Sequence, residues 1–245
     1  MKIAAGFIIV TMSLVVRAED LKLHGVDASP ENDCRARTRK IVDAGVPLDL
    51  LERMAKDPQT AKTNSGDHAF IVDYSKTPHD KRFFSIDLKT GDVQGYRVSH
   101  GKGSGPADHV DRLSNEYGSH ASPEGLFKIG SIYKSPSQGD IYVVNGLQPS
   151  NAKTADRILG VQGCNYVHET GDAPIGRSAG SFCMDPSTFA HIRHSLQGSL
   201  LYSGRSGSET AKKESKQGPS DELCRLYGFS DSGRGIRMHG AGKVD

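Results

Sequence analysis

The pattern of apolar and polar positions divides the chain into four stretches. Residues 1–18 begin with Lys2, continue as an apolar run from Ile3 to Val16, and close on Val-Arg-Ala ahead of Glu19-Asp20. A basic start, a short apolar middle and a small residue at the cut describe a secretory signal peptide cleaved after Ala18. The run is too short to remain as a membrane-spanning helix. Next, Ser29-Pro30-Glu31 supplies a cap, a first-turn proline and an acid that complements the helix dipole, and Gly45 is placed to stop the helix after Ala44. Val46 to Lys56 predicts a second short helix with Leu48, Leu50, Leu51 and Met54 on its apolar side. Residues 19–66 are therefore expected to form a helical prelude, ending in a polar connector from Asp57 to Asp67.

The texture then changes to short β-prone runs separated by glycine-rich turns: 68–74, 82–88, 93–99, 125–133, 140–144, 157–162, 179–184 and 199–202. Lys89-Thr90-Gly91-Asp92 is a compact hairpin turn between two of them. Asp185 and Gly198 bracket one helix, from Pro186 to Gln197. Residues 67–202 thus read as a mainly β, mainly antiparallel domain. Residues 203–245 are rich in Ser, Gly, Lys and Glu and are expected to be largely disordered, apart from a capped helical turn at Ser220 to Gly228.

Composition sharpens this picture at two points. Loss of Lys2 and Arg17 with the signal peptide takes the basic count from 31 to 29, equal to the 29 acidic residues, so no nucleic-acid partner is implied. No second apolar stretch approaches membrane length, which leaves an exported chain in the periplasm or outside the cell, with its oligomeric state open. The four cysteines, Cys34, Cys164, Cys183 and Cys224, are an even number in a compartment that permits oxidation. A central pair, Cys164 with Cys183, and a terminal pair, Cys34 with Cys224, is the preferred arrangement. The alternative leaves Cys183 as a free reactive thiol.

Six segments occur in an order that carries a resemblance: HAFIVDYSK (68–76), RFFSIDLKTGDV (82–93), SHGKGSG (99–105), GSHASPEGLFKIG (118–130), RILGVQGCNYV (157–167) and GRSAGSFCMDP (176–186). Together they resemble the YkuD-type L,D-transpeptidases, in the branch described as the murein L,D-transpeptidase catalytic domain family. The resemblance covers residues 67–202. It implies a β-sandwich or barrel with one helix, and a cleft for peptidoglycan stem peptides in which a cysteine thiolate attacks and a neighbouring imidazole takes its proton. No cofactor is implied.

Both decisive positions depart from that pattern. The family's His-Gly falls on Gln162-Gly163, and its Ser-x-Gly-Cys falls on Ser178-Ala179-Gly180-Ser181. A glutamine amide cannot serve as a general base, and an unassisted hydroxyl is a far weaker nucleophile than a thiolate. An amide and a hydroxyl can instead satisfy each other by hydrogen bonding. The pattern fits a pocket that kept its shape and lost its reaction, a wall-binding or regulatory pseudoenzyme. A competing reading is an active L,D-transpeptidase or L,D-carboxypeptidase with catalysis relocated to Cys183 and His168 as base. Against it, Cys183 stands two residues after Ser181 and Cys164 two after Gln162, so if the two family positions face each other the cysteines do as well, which favours a disulfide. A third reading is a secreted interaction protein that binds no wall polymer.

The resemblance also places His100, Ser119 and His120 around the substrate cleft and Arg177 where it could meet a peptide carboxylate. Metal binding is rejected, because His168-Glu169, His191, His194 and His239 show no accepted ligand spacing. SHGKGSG lacks the spacing of a phosphate-binding loop, and His239-Gly240 in the tail repeats the missing His-Gly only by coincidence.

Overall fold

The computed structural model describes residues 30–207 and 218–229. The expected signal peptide and most of the tail lie outside the described residues. Five helices and eight strands follow in the order α1 (Pro30–Asp43), α2 (Leu48–Lys56), α3 (Thr60–Thr63), β1 (His68–Asp73), β2 (Phe83–Asp87), β3 (Val93–Tyr96), β4 (Gly125–Ser135), β5 (Gly139–Gly146), β6 (Gly160–Gly163), β7 (Phe182–Met184), α4 (Pro186–Ile192), β8 (Leu200–Gly204) and α5 (Asp221–Leu226).

The strands form one mixed sheet in the order β3-β2-β1-β8-β4-β5-β6-β7. Five of its seven pairings are antiparallel; β1 with β8 and β6 with β7 are parallel. β1 reads as a continuous apolar run because both of its faces are covered. Phe70 and Val72 enter a core that also holds Phe127, Val161, Phe182 and Leu201, whereas Ala69 and Ile71 enter a second core with Leu50, Leu51 and Met54 of α2. Each of these three α2 side chains is fully buried, worth roughly 1.5–3 kcal/mol apiece. The sheet also curls, so that its ends approach each other. Beyond β3, the Ser99 N–H donates to the Cys183 carbonyl at 2.8 Å, and Gly101 makes a parallel bridge with Ser178. This is the mainly β, closed-up architecture expected from the sequence.

Local signals explain the element ends. Gly45 takes φ +97° after α1, Gly91 takes φ +71° in the β2–β3 turn, and Gly198 takes φ +85° ahead of β8. Asp185 caps α4 by accepting from the Ser187 N–H at 2.8 Å, and Ser220 caps α5 by accepting from the Leu223 N–H at 3.1 Å. Some details differ from the sequence reading: β6 and β7 begin at Gly160 and Phe182, each three residues later than expected. The Asp57–Asp67 connector contains the single turn α3, where Asp57 Oδ1 accepts from the Gln59 N–H at 2.9 Å. The helix from Pro186 tightens to a 3₁₀ turn over Arg193–Ser195. β8 runs to Gly204, two residues past the expected end, because Tyr74 N–H donates to the Gly204 carbonyl at 2.7 Å.

Two disulfides are present, Cys34–Cys224 and Cys164–Cys183. The first joins α1 to α5 across 190 residues. The second ties the end of β6 to β7, so the preferred pairing is the one observed.

Candidate functional site

The glycine-rich segment 99–105 is a bed for the irregular stretch 119–122. A Cβ on Gly103 would stand 1.8 Å from the Ser119 carbonyl oxygen, and one on Gly101 2.3 Å from that of His120, so neither position has room for a side chain. Ser122 Oγ accepts from the Gly101 N–H at 3.0 Å, and Ser104 Oγ accepts from the Ser122 N–H at 2.8 Å. The Ser178-Ala179-Gly180-Ser181 turn lies against the same stretch. Ser178 Oγ accepts from the Gly180 N–H at 3.0 Å and donates to the Ser181 carbonyl at 2.7 Å, closing the turn. Gly180 takes φ +121°, and a Cβ there would meet the Ala121 carbonyl at 2.6 Å.

This turn delivers Ser181 to a cleft of about 430 Å³ whose lining includes Ala179, His120, Arg157 and Leu159. Ser181 is itself buried, and its Oγ accepts from the Gly160 N–H at 3.3 Å. Among the described residues no imidazole or carboxylate is hydrogen-bonded to that hydroxyl. Gln162 sits opposite Cys183 in the β6–β7 register, not opposite Ser181. Its Nε2 donates to Cys183 Sγ at 3.3 Å, while its Oε1 is buried without a hydrogen-bond partner. A second donor, the Tyr166 hydroxyl, lies 3.0 Å from the same sulfur. The amide and hydroxyl that the sequence suggested would bond to each other are therefore each bonded elsewhere.

The remaining candidates separate into those near the cleft and those away from it. His120 lines it, exposed and at φ +50°. Ser119 Oγ turns back to accept from the Ala121 N–H at 3.3 Å. His100 is not a cleft residue: it is fully buried, with Nδ1 3.1 Å from Arg82 Nη2 and Nε2 2.7 Å from the Pro106 carbonyl. Since a guanidinium only donates, Nδ1 accepts and Nε2 carries the proton. Burial first, and the neighbouring Arg82 charge after it, depress the imidazole to a pKa of about 4. His100 and Gly101 lie beneath the surface while Lys102 remains exposed, which removes the imidazole from any ligand in the cleft. Arg177 is exposed and donates to the Gly105 carbonyl at 2.6 Å, so it fastens a loop. His168 is exposed and Cys183 is fully buried in its disulfide, so the structure does not assemble them as a base and a free thiol. Gly163 packs against Pro186 and Phe189 at the start of α4, where a Cβ would meet Pro186 Cα at 3.1 Å.

The sequence reading missed Arg157, Tyr117, Tyr133 and Ile158, all of which line the cleft. Arg157 donates to the Ser114 carbonyl at 3.1 Å, the Ala121 carbonyl at 2.8 Å and Asn115 Oδ1 at 3.3 Å, stitching the cleft wall to the 119–122 stretch. No group of three or more His, Cys, Asp or Glu side chains among the described residues could hold a metal ion, and none of the described helices is long and apolar enough to cross a membrane.

Comparison with known proteins bears on this geometry. No curated protein matches the chain. Among solved structures it is similar to an L,D-transpeptidase from Mycobacterium smegmatis, at 12% identity and TM-score 0.36, over 57% of this chain and 59% of that one. It is also similar to Bd1075 of Bdellovibrio bacteriovorus, at 9% identity and TM-score 0.36, over 66% and 53%. A third is the helical cell shape determining protein Pgp2 from Campylobacter jejuni, at 8% identity and TM-score 0.37, over 74% and 60%. The chain thus spans less than two thirds of the length of each of these structures. A family model described as the L,D-transpeptidase catalytic domain matches residues 43–203. That match takes in every strand from β1 to all but the last residue of β8, and with it both the Gln162 and the Ser181 segments: the chain belongs to the L,D-transpeptidase catalytic domain family.

Proposed function

We propose that this is an exported relative of the L,D-transpeptidases that keeps a cleft for peptidoglycan, including its stem peptides, and has lost ordinary acyl transfer. One observation carries the reading: the side chain at the family's histidine position, Gln162, is turned onto the Cys183 sulfur, while the hydroxyl at the family's cysteine position, Ser181, accepts a bond from the Gly160 N–H. Acyl transfer needs a nucleophile whose proton is taken by a nearby base. Here the hydroxyl has neither a thiol's acidity nor an imidazole hydrogen-bonded to it, and no titratable nitrogen occupies position 162. Two disulfides agree with an extracytoplasmic location, where thiols oxidise.

The test is incubation of the purified protein, in reduced and in oxidised form, with isolated sacculi, scoring binding by co-sedimentation and products by mass spectrometry of released muropeptides. Binding with no new cross-link and no trimmed stem is the expected result. New products that survive Ser181→Ala and vanish with Cys183→Ser would overturn it in favour of an active cysteine enzyme. Absence of both binding and products would favour an interaction protein that does not recognise the wall.

A further inference from the structure

We infer that the Ser181 cleft contains a subsite for a neutral pyranose sugar, built on the rings of Tyr117 and Tyr133. The inference deepens the function proposed above and rests on its premise that the cleft receives wall polymer. It names the glycan part of that polymer as a direct ligand.

The first support is where the exposed apolar surface lies. Among the described residues four large hydrophobic side chains are well exposed, Tyr117 at 59%, Ile158 at 44%, Tyr133 at 42% and Tyr166 at 38%. Three of them, Tyr117, Tyr133 and Ile158, line this one cleft. Single exposed hydrophobes are ordinary, whereas their convergence on a concave surface marks a ligand groove.

The second support is that this surface is held in place. The Tyr117 hydroxyl donates to Asp156 Oδ2 at 2.9 Å, and Lys153 Nζ stands 5.6 Å from the ring centroid while paired with Glu116 at 2.6 Å. The ring is therefore fixed before any ligand arrives, which lowers the entropic cost of stacking on it. Ile158 takes φ +53°, a conformation strained for a β-branched residue. It and His120 are the two non-glycine residues with positive φ among those described, and both line the cleft. Strain of that kind persists where the surroundings hold a surface in a required shape.

The third support is charge, which separates a sugar from a peptide at this subsite. No carboxylate lines the cleft, and its one guanidinium, Arg157, is occupied by the carbonyls of Ser114 and Ala121 and by Asn115 Oδ1. The other polar groups include the His120 imidazole, the Gln138 amide and the Ser135 and Ser181 hydroxyls. A stem peptide with several carboxylates calls for unspent cations. A pyranose offers an apolar C–H face for an aromatic ring and a rim of hydroxyls for amide, imidazole and hydroxyl partners, all of which this lining supplies.

The experiment is calorimetric titration of the oxidised protein with a tetramer of β-1,4-linked N-acetylglucosamine, alongside a separate titration with a free stem tetrapeptide. Saturable binding of the oligosaccharide is expected, weakened roughly threefold to tenfold in each of Tyr117→Ala and Tyr133→Ala and retained in Tyr117→Phe, with unchanged circular dichroism and melting temperature confirming the fold. Oligosaccharide binding that ignores both alanine variants would overturn the placement. Peptide or sacculus binding without any oligosaccharide binding would overturn the sugar subsite and leave the wall-binding proposal standing. Failure of sugar, peptide and sacculi alike would remove both.

Discussion

The Gln162 amide nitrogen lies 3.3 Å from the sulfur of Cys183, its register partner across the β6–β7 pair, while the amide oxygen has no partner at all. A buried carbonyl without a donor costs roughly 1–3 kcal/mol, and a bond to a disulfide sulfur returns little of it. Gln162→Met, similar in volume and free of polar atoms, should therefore leave stability unchanged or raise it by about 1 kcal/mol. Urea denaturation of the oxidised protein measures this, and a loss larger than about 1 kcal/mol would mean that the amide holds the site together.

His100 makes stability depend on pH in a definite direction. Its imidazole is depressed from 6.5 to about 4 in the folded chain, chiefly by burial. Between those values the unfolded chain binds the proton and the folded chain does not, so stability is full above the unfolded value and falls as pH drops toward 4. The loss should reach about 3 kcal/mol across that window and then level off as far as this residue is concerned. His100→Gln keeps an acceptor for Arg82 and a donor for Pro106 but cannot titrate, and it should flatten this part of the profile. An undiminished slope in that variant would assign the effect to another group.

Arg82 is the largest fully buried side chain among the described residues and works through the planar fork of its head. Nε and Nη2 donate to the Val98 carbonyl at 2.9 and 2.7 Å, Nη1 reaches the Lys76 carbonyl at 2.9 Å, and Nη2 also meets His100 Nδ1 at 3.1 Å. Lysine offers a single ammonium in place of this spread of donors. Arg82→Lys should cost about 2 kcal/mol or more, readable as a lower urea midpoint, with the segment around Val98 losing hydrogen-exchange protection first.

What could be foreseen from the sequence was whatever depends on neighbours in the chain. Asp185 and Gly198 bracketed a helical stretch, Gly91 set a hairpin, and eight β-prone runs became eight strands because short-range propensity and alternation were enough. The parallel pairings of β1 with β8 and β6 with β7 had no local signature. They join segments more than 125 residues apart in the first case and about 20 in the second, and only packing on both faces selects them. The family resemblance places His100 at the cleft, and nothing local corrects it, because a loop histidine reads the same whether it points outward or, as here, onto Arg82. Tyr117, Tyr133 and Ile158 escaped notice for the same reason, with the reverse outcome: an exposed aromatic or aliphatic residue has the same letter as a core one. The clearest local hint was glycine density, since Gly101, Gly103 and Gly180 mark the places where backbone crowds backbone.

The terminal disulfide yields a fourth expectation. Cys34–Cys224 fastens α5, whose Leu223 and Tyr227 are buried in the core shared with α2. Replacing both cysteines by serine removes a long covalent loop and should cost about 5 kcal/mol in the chain-entropy account. Limited proteolysis should then cut near residues 218–229 before it cuts the sheet, whereas an unchanged digestion pattern would show that packing alone retains α5.

The same bond has a mechanical meaning. Tension applied to the segments outside Cys34 and Cys224 passes from one sulfur to the other and bypasses the 189 residues between them. The sheet and its cleft would feel none of the pull. If the polypeptide on either side is tethered, the recognition surface keeps its shape while the tether is loaded, and a reductant would make the same fold yield to stretching.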